Sequence, residues 1–290
     1  MSRNPNHGRR PRNARRHPAT RRWTIGVVLG GVLGAAPAGA LAPPGARIGV
    51  RPDPCSEVPT QPAPRHQLAK DPFRAWMDEW LALDWGQLCR YRGDNARLPP
   101  PTPRRVVFFG DSITEGWANG SPALFAGDRI DRGISGQTSA QMLVRFRSDV
   151  LALRPAVLHL LAGTNDVAGN TGPTRVEDIE GNVEAMVELA RRERIEIALG
   201  SILPTRRYPW APQIEPVAPI REINRWLAGF AARERLGFID YYAAMSDADG
   251  GMRRELSNDG VHPNAAGYAV MSSLAAPAID AALASAARRR

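Results

Sequence analysis

The feature that most constrains this chain is an alternation that begins at Arg104. Short apolar runs occupy 106–110, 129–134, 156–162, 196–202 and 236–240. Between them lie longer segments whose apolar residues recur three and four apart. Met142, Leu143, Phe146 and Val150 form one such series, and Val176, Ile179, Val183, Met186 and Val187 a second. Ile220, Ile223, Leu227 and Phe230 form a third, and Tyr268, Met271, Leu274 and Leu283 a fourth. That spacing predicts helices with one apolar face, and the short runs predict strands. Strands alternating with helices imply a parallel sheet covered on both faces. The near-continuous run "AVLHLLAG" suits a strand buried on both sides. Residues 104–287, with no internal repeat, are expected to form one three-layer α/β/α domain.

Upstream the pattern changes. Residues 71–103 predict a helical leader that docks on the main domain through Phe73, Trp76, Met77, Trp80 and Leu81, before "PPPTP" breaks the chain. Residues 43–70 are proline-rich and aperiodic, as a linker is. Residues 1–42 read as an export signal. Eight arginines and no acid in the first 22 residues lead into an uncharged segment offering an A-x-A type cleavage site at Ala38-Gly39-Ala40. The pair Arg21-Arg22 loosely matches a twin-arginine signal. The alternative is an uncleaved membrane anchor, the one membrane contact expected, since no later segment reads as long and apolar enough to span. The protein is thus expected in the periplasm or outside the cell.

Charge excludes one large class. The net charge is +9, yet the eight arginines of the first 22 residues together with Arg288, Arg289 and Arg290 exceed it, so the chain between them is slightly acidic. A folded nucleic-acid-binding face is not expected. The two cysteines, Cys55 and Cys89, leave open one disulfide or two free thiols.

In an open parallel sheet, ligands bind beyond the carboxyl ends of the strands. The first apolar run is followed by Asp111-Ser112, the second by "GISGQTS" with Gly136, the third by "GTND" with Asn165. After the last comes "SNDGVHPN", with Asp259 and His262 three residues apart. A serine hydroxyl attacks an acyl carbon once an imidazole removes its proton, and a carboxylate fixes the imidazole tautomer. The oxyanion needs preplaced donors, which the Ser112 N–H, the Gly136 N–H and the Asn165 amide can supply. Of the five histidines, His7, His17 and His66 lie in the export signal or the linker and His159 sits inside an apolar strand as a satisfied core residue, which leaves His262 as the base. This scarcity argues against a metal site, and "SDADGG" at 246–251 reads as a polar turn rather than a calcium loop. Ser135 is the rival nucleophile.

The blocks "GDSITEGW", "RGISGQTS", "AGTNDVAGN" and "DGVHPNAAGY", in that order and spacing, resemble those of the SGNH hydrolase superfamily, the GDSL-type esterases and lipases. The resemblance covers about residues 104–285. Ile113 stands where the family name has leucine, as in the branch of platelet-activating-factor acetylhydrolases and lysophospholipase-like enzymes. The resemblance implies a flavodoxin-like sandwich with five parallel strands and no cofactor. It makes Ser112 the nucleophile, His262 the base and Asp259 its partner, with Ser112, Gly136 and Asn165 forming the oxyanion hole. Asp111 reads as an N-terminal capping or loop-fixing residue, and Asp166 as holding the turn that presents Asn165.

The expected activity is a serine esterase acting on a small-molecule, lipid or glycan ester: a short acyl ester, a lysophospholipid or an acetylated glycan. An O-acyltransferase on the same residues is the alternative, and a non-catalytic glycan- or lipid-binding module a more distant one. The excursion at 202–216 is expected near the site, shaping an acyl pocket or serving as plain structure.

Overall fold

The five strands form where the apolar runs stand: β1 is Val106–Gly110, β2 Arg129–Gly133, β3 Val157–Leu160, β4 Glu196–Gly200 and β5 Gly237–Ile239. In the computed structural model, which describes Cys55 and residues 81–289, all four pairings are parallel and the order is β2-β1-β3-β4-β5. This is the flavodoxin-like order, whose switch point lies between β1 and β3. The chain divides into two units, Met1–Gly49 and Val50–Arg290. The first, with the export or anchor segment, lies outside the described residues. So do the 43–70 linker apart from Cys55, and the leader residues Phe73, Trp76, Met77 and Trp80.

Side-chain alternation along β1 creates two cores. Val107 and Phe109 face one, with Met142 and Phe146 of α3 (Ser139–Asp149), Ile179, Val183 and Met186 of α5 (Val176–Arg192), and Ile220, Ile223 and Leu227 of α6 (Val217–Glu234). Val106 and Phe108 face the other, with Ile113 and Trp117 of α2 (Ser112–Gly120), Tyr241 of α7 (Tyr241–Met245), and Tyr268, Met271 and Ile279 of α8 (Ala265–Arg288). Every β1 residue is buried, as a central strand covered on both sides requires. Each such Val, Ile or Phe contributes about 1.5–3 kcal/mol by leaving water.

One expectation is corrected here. α8 is long and apolar enough, by length and composition, to cross a membrane. In this fold its Met271, Ala275 and Ile279 are wholly buried in the second core.

The described part of the leader has helical residues at 81–83, turns and a short helix, α1 (Arg92–Arg97), and hydrogen bonds tie it to β2 and α3. Tyr91 Oη–H donates to the Gly133 carbonyl at 2.5 Å, and Gln141 Nε2–H to the Trp85 carbonyl at 2.8 Å. Cys55 and Cys89 form a disulfide, closing the choice the sequence left open.

Candidate active site

The exit from β1 places Ser112. Gly110 has no side chain because a Cβ there would stand 2.1 Å from Thr114 Oγ1 and 2.9 Å from the Leu161 carbonyl. Asp111 follows as the N-cap of α2, its Oδ1 accepting the Ile113 N–H at 2.9 Å, which is the capping role expected of it. Burial pushes the Asp111 carboxyl up to about 6, against that same hydrogen bond. Ser112 is the first helical residue, so its N–H belongs to the unsatisfied first turn.

His262 arrives 150 residues later in the chain. Ser112 Oγ lies 2.9 Å from His262 Nε2, and His262 Nδ1 lies 2.7 Å from Asp259 Oδ2. Asp259 Oδ1 accepts the backbone N–H groups of Val261 (2.9 Å) and His262 (2.8 Å). Burial alone would raise the Asp259 pKa, but the His262 ring and these two amides outweigh it and hold the carboxyl well below the usual range. An ionised Asp259 accepts a hydrogen bond from Nδ1–H, which fixes the tautomer and leaves Nε2 able to accept from Ser112. Tyr268 keeps the two halves in register. Its Oη–H donates to the Ile113 carbonyl at 2.9 Å, and its ring stacks on Trp117.

The block after β2 turns at Gly136, whose φ of +79° is a left-handed conformation that disfavours any side chain. Next to it, Ser135 donates both its N–H and its hydroxyl to Glu115 Oε2, so the rival nucleophile is committed to a structural bond. The block after β3 forms α4 (Thr164–Val167). Asn165 within it is 2% exposed, and its Nδ2 donates to the Gln137 carbonyl at 3.0 Å. Asp166 bonds outside its own turn. Its carboxylate accepts the Ser139 N–H at 2.8 Å and the Ser139 hydroxyl at 2.5 Å, fastening α4 to the start of α3.

Other expectations separate here. The 202–216 excursion is partly core, since Tyr208 is buried and donates to the Thr164 carbonyl at 2.9 Å. Its Trp210 reaches the site, with a ring centroid 6.0 Å from that of His262. His159 is a core residue that bonds Tyr241 Oη at 2.8 Å, but its Nδ1 has no partner, so it is only half satisfied. In the 246–251 turn the Arg206 guanidinium bonds both Asp247 (2.7 Å) and Asp249 (3.2 Å). It supplies the positive charge there.

Several supports were not foreseen. Arg145, with no exposure, donates to the Gly110 carbonyl at 2.9 Å and to Gln137 Oε1 at 2.5 Å, and pairs with buried Asp149 at 3.2 Å. Gln137 Nε2 in turn donates to Gln87 Oε1 at 2.9 Å. The available signal was a basic residue amid Met142 and Phe146, four positions before an acid. Asn170 was a polar member of the "AGTNDVAGN" block with no role assigned to it.

The model of the GDSL-like lipase/acylhydrolase family matches residues 108–270, more than half of the chain. The chain belongs to that family. GDSL-like members are hydrolases that act on esters, and the similar solved structures share the sheet and its helices. A protein of Bacteroides fragilis NCTC 9343, assigned as an acylhydrolase, is 43% identical with a TM-score of 0.67, covering 69% of this chain and 99% of its own. A GDSL-like lipase of Bacteroides thetaiotaomicron VPI-5482 is 40% identical with a TM-score of 0.66, covering 68% of this chain and 99% of its own. Among curated proteins, the uncharacterized lipoprotein YqeF of Bacillus subtilis (strain 168) is 33% identical over 117 residues, which are 34% of this chain and 48% of the relative. The match thus spans about half the length of that relative.

Proposed function

We propose that this GDSL-like hydrolase is a serine esterase that cleaves short acyl esters through an acyl-serine intermediate. The observation that carries the reading is the unbroken chain of hydrogen bonds from Ser112 through His262 to Asp259. Ser112 Oγ attacks the ester carbonyl carbon while His262 Nε2 takes its proton. Asp259 stabilises the resulting imidazolium. The tetrahedral oxyanion is met by the Ser112 N–H, the Gly136 N–H and the second hydrogen of Asn165 Nδ2, each donor worth roughly 3 kcal/mol at the barrier. Collapse breaks the bond to the alcohol, which leaves with the proton held by His262. Water then attacks the acyl carbon, His262 takes its proton, and the acid departs as Ser112 recovers its hydrogen.

The substrate is a small-molecule, lipid or glycan ester with a short acyl chain. Residues 104–287 form the hydrolase domain, with 71–103 as its leader, 43–70 as a linker and 1–42 as the targeting segment. The word lipoprotein in the name of the B. subtilis relative supports an exported or membrane-associated place for this chain too.

The test is labelling by a serine-directed fluorophosphonate alongside hydrolysis of p-nitrophenyl acetate and longer esters. Ser112→Ala is expected to lose labelling and turnover together, and His262→Ala to lose most turnover. Retention of both by Ser112→Ala overturns the reading.

A further inference from the structure

A side-chain amide serves an oxyanion only when its nitrogen, and not its oxygen, faces the reacting atom. The two ends are nearly equal in shape, so hydrogen-bond partners decide the orientation. In Asn165 two partners make the same choice. The Gln137 carbonyl accepts from Nδ2 at 3.0 Å, and Asn170 Nδ2 donates to Oδ1 at 2.8 Å. One Asn165 N–H remains for a ligand. Asn170 Nδ2 also donates to the Gly136 carbonyl at 3.1 Å, and its backbone N–H to the Asn165 carbonyl at 3.0 Å. A single carboxamide therefore grips both non-serine residues assigned to the oxyanion hole.

Asn170 needs an orientation of its own, and Trp210 supplies it. The indole Nε1–H donates to Asn170 Oδ1 at 3.0 Å, which turns Asn170 Nδ2 toward Asn165 and Gly136. Trp210 is 42% exposed, and its ring lies beside the His262 ring at 6.0 Å. Because His262 returns its proton to the leaving alcohol, the Trp210 face borders the alcohol half of the ester. Tyr208, buried and bonded to Thr164, packs on Trp210 with ring centroids 5.2 Å apart and anchors this stretch of the loop.

We propose that Asn170 is a positioning residue that orients the Asn165 and Gly136 donors, and that Trp210 holds Asn170 through its indole N–H while presenting its ring to the alcohol half of the substrate. The inference rests on the serine-esterase reading and adds to it a link between the leaving-group side of the site and the oxyanion side. A donor left free to rotate stabilises the transition state less while barely altering ground-state binding, so the loss falls on kcat.

The experiment measures kcat and KM for p-nitrophenyl acetate and ethyl acetate in Asn170→Ala, Trp210→Phe, Trp210→Ala and the double variant Asn170→Ala/Trp210→Phe, with thermal unfolding followed in each. Asn170→Ala is expected to lower kcat about 10- to 100-fold, with KM within about threefold, the scale of one mispositioned oxyanion donor. Trp210→Phe keeps a ring and loses the N–H, so kcat drops several-fold for both esters at unchanged KM. Trp210→Ala raises KM in addition, most for the aryl ester. Because the indole N–H acts through Asn170, the double variant is expected to match Asn170→Ala alone. A kcat within twofold of wild type in Asn170→Ala, or an additive double variant, overturns the proposal while Ser112→Ala remains dead. Turnover in Ser112→Ala removes the esterase reading itself.

Discussion

Asn165 is held from two sides, and the two differ in depth. On one side stands Gln137, tied to Gln87 and to the buried pair Arg145–Asp149, all with 1% exposure or less. On the other stand Asn170 and Trp210, both exposed to solvent. The deep side joins the β1 exit, the β2 loop and the leader, so breaking it leaves buried polar groups without partners and costs folding free energy. The outer side can exchange its hydrogen bonds with water. Its loss spares the fold and reaches only the orientation of the donors. One amide thus separates what the fold needs from what turnover needs.

The largest expected effect tests the centre that both sides serve. Ser112→Ala should lower kcat about 10⁴-fold or more at nearly unchanged urea midpoint, since Ser112 contributes little to the core. A large loss of stability in that variant would show Ser112 to be part of the deep network as well.

Breaking the deep side comes next. Arg145→Met removes one partner of a fully buried ion pair, frees Gln137 Oε1 and leaves the Gly110 carbonyl with the Ile134 N–H alone, and should destabilise by about 3–5 kcal/mol in urea unfolding. Full stability with lost turnover would reverse the division drawn above.

A pH series sharpens the same division, because the buried titrating groups belong to the interior. Burial depresses the His159 imidazole to about 3, whereas an unfolded histidine titrates near 6.5. Its contribution is therefore complete above pH ~6.5 and falls as pH drops toward ~3, by at most about 1.4 kcal/mol per unit. Asp111 and Asp131, pushed up by burial to about 6 and about 7, have the opposite sign: protonation relieves them as pH falls. The histidine contribution is isolated by the stability difference between wild type and His159→Phe, which should shrink on acidification from pH 6.5. A difference independent of pH would refute it.

The smallest effects belong to the outer side. Asn170→Ala should reduce kcat about 10- to 100-fold, and Trp210→Phe several-fold, both within about 0.5 kcal/mol of wild-type stability. Stability losses comparable with Arg145→Met would erase the contrast between the two sides.

Much of the site was legible because its chemistry is carried by short blocks. Ser112 follows a strand by two residues, and Asp259 and His262 share one turn, so their residue types and spacing already imply a nucleophile, a base and its partner. Asp111 was readable as a cap for the same reason, since the Asx cap is a contact across two residues. Arg145 was not. Its sign and position on α3 do not reveal that it reaches Gly110, 35 residues away, or Gln137 in the loop after β2. Asn170 lay within a block in which Asn165 drew the attention, and Trp210 lay in a loop whose place was foreseen but whose partners were not.

The sequence by itself determined the period of each element, the burial of β1 on both faces, and the chemical parts delivered to the strand ends. These depend on neighbours a few positions apart, where backbone geometry dictates which side chains share a face. Tertiary structure alone decided the half-satisfied state of His159, the disulfide between Cys55 and Cys89, and the two-sided grip on Asn165. These contacts join residues far apart in the chain. Their formation depends on how whole layers pack and desolvate, and no local pattern encodes which distant hydrogen-bond partner will be met.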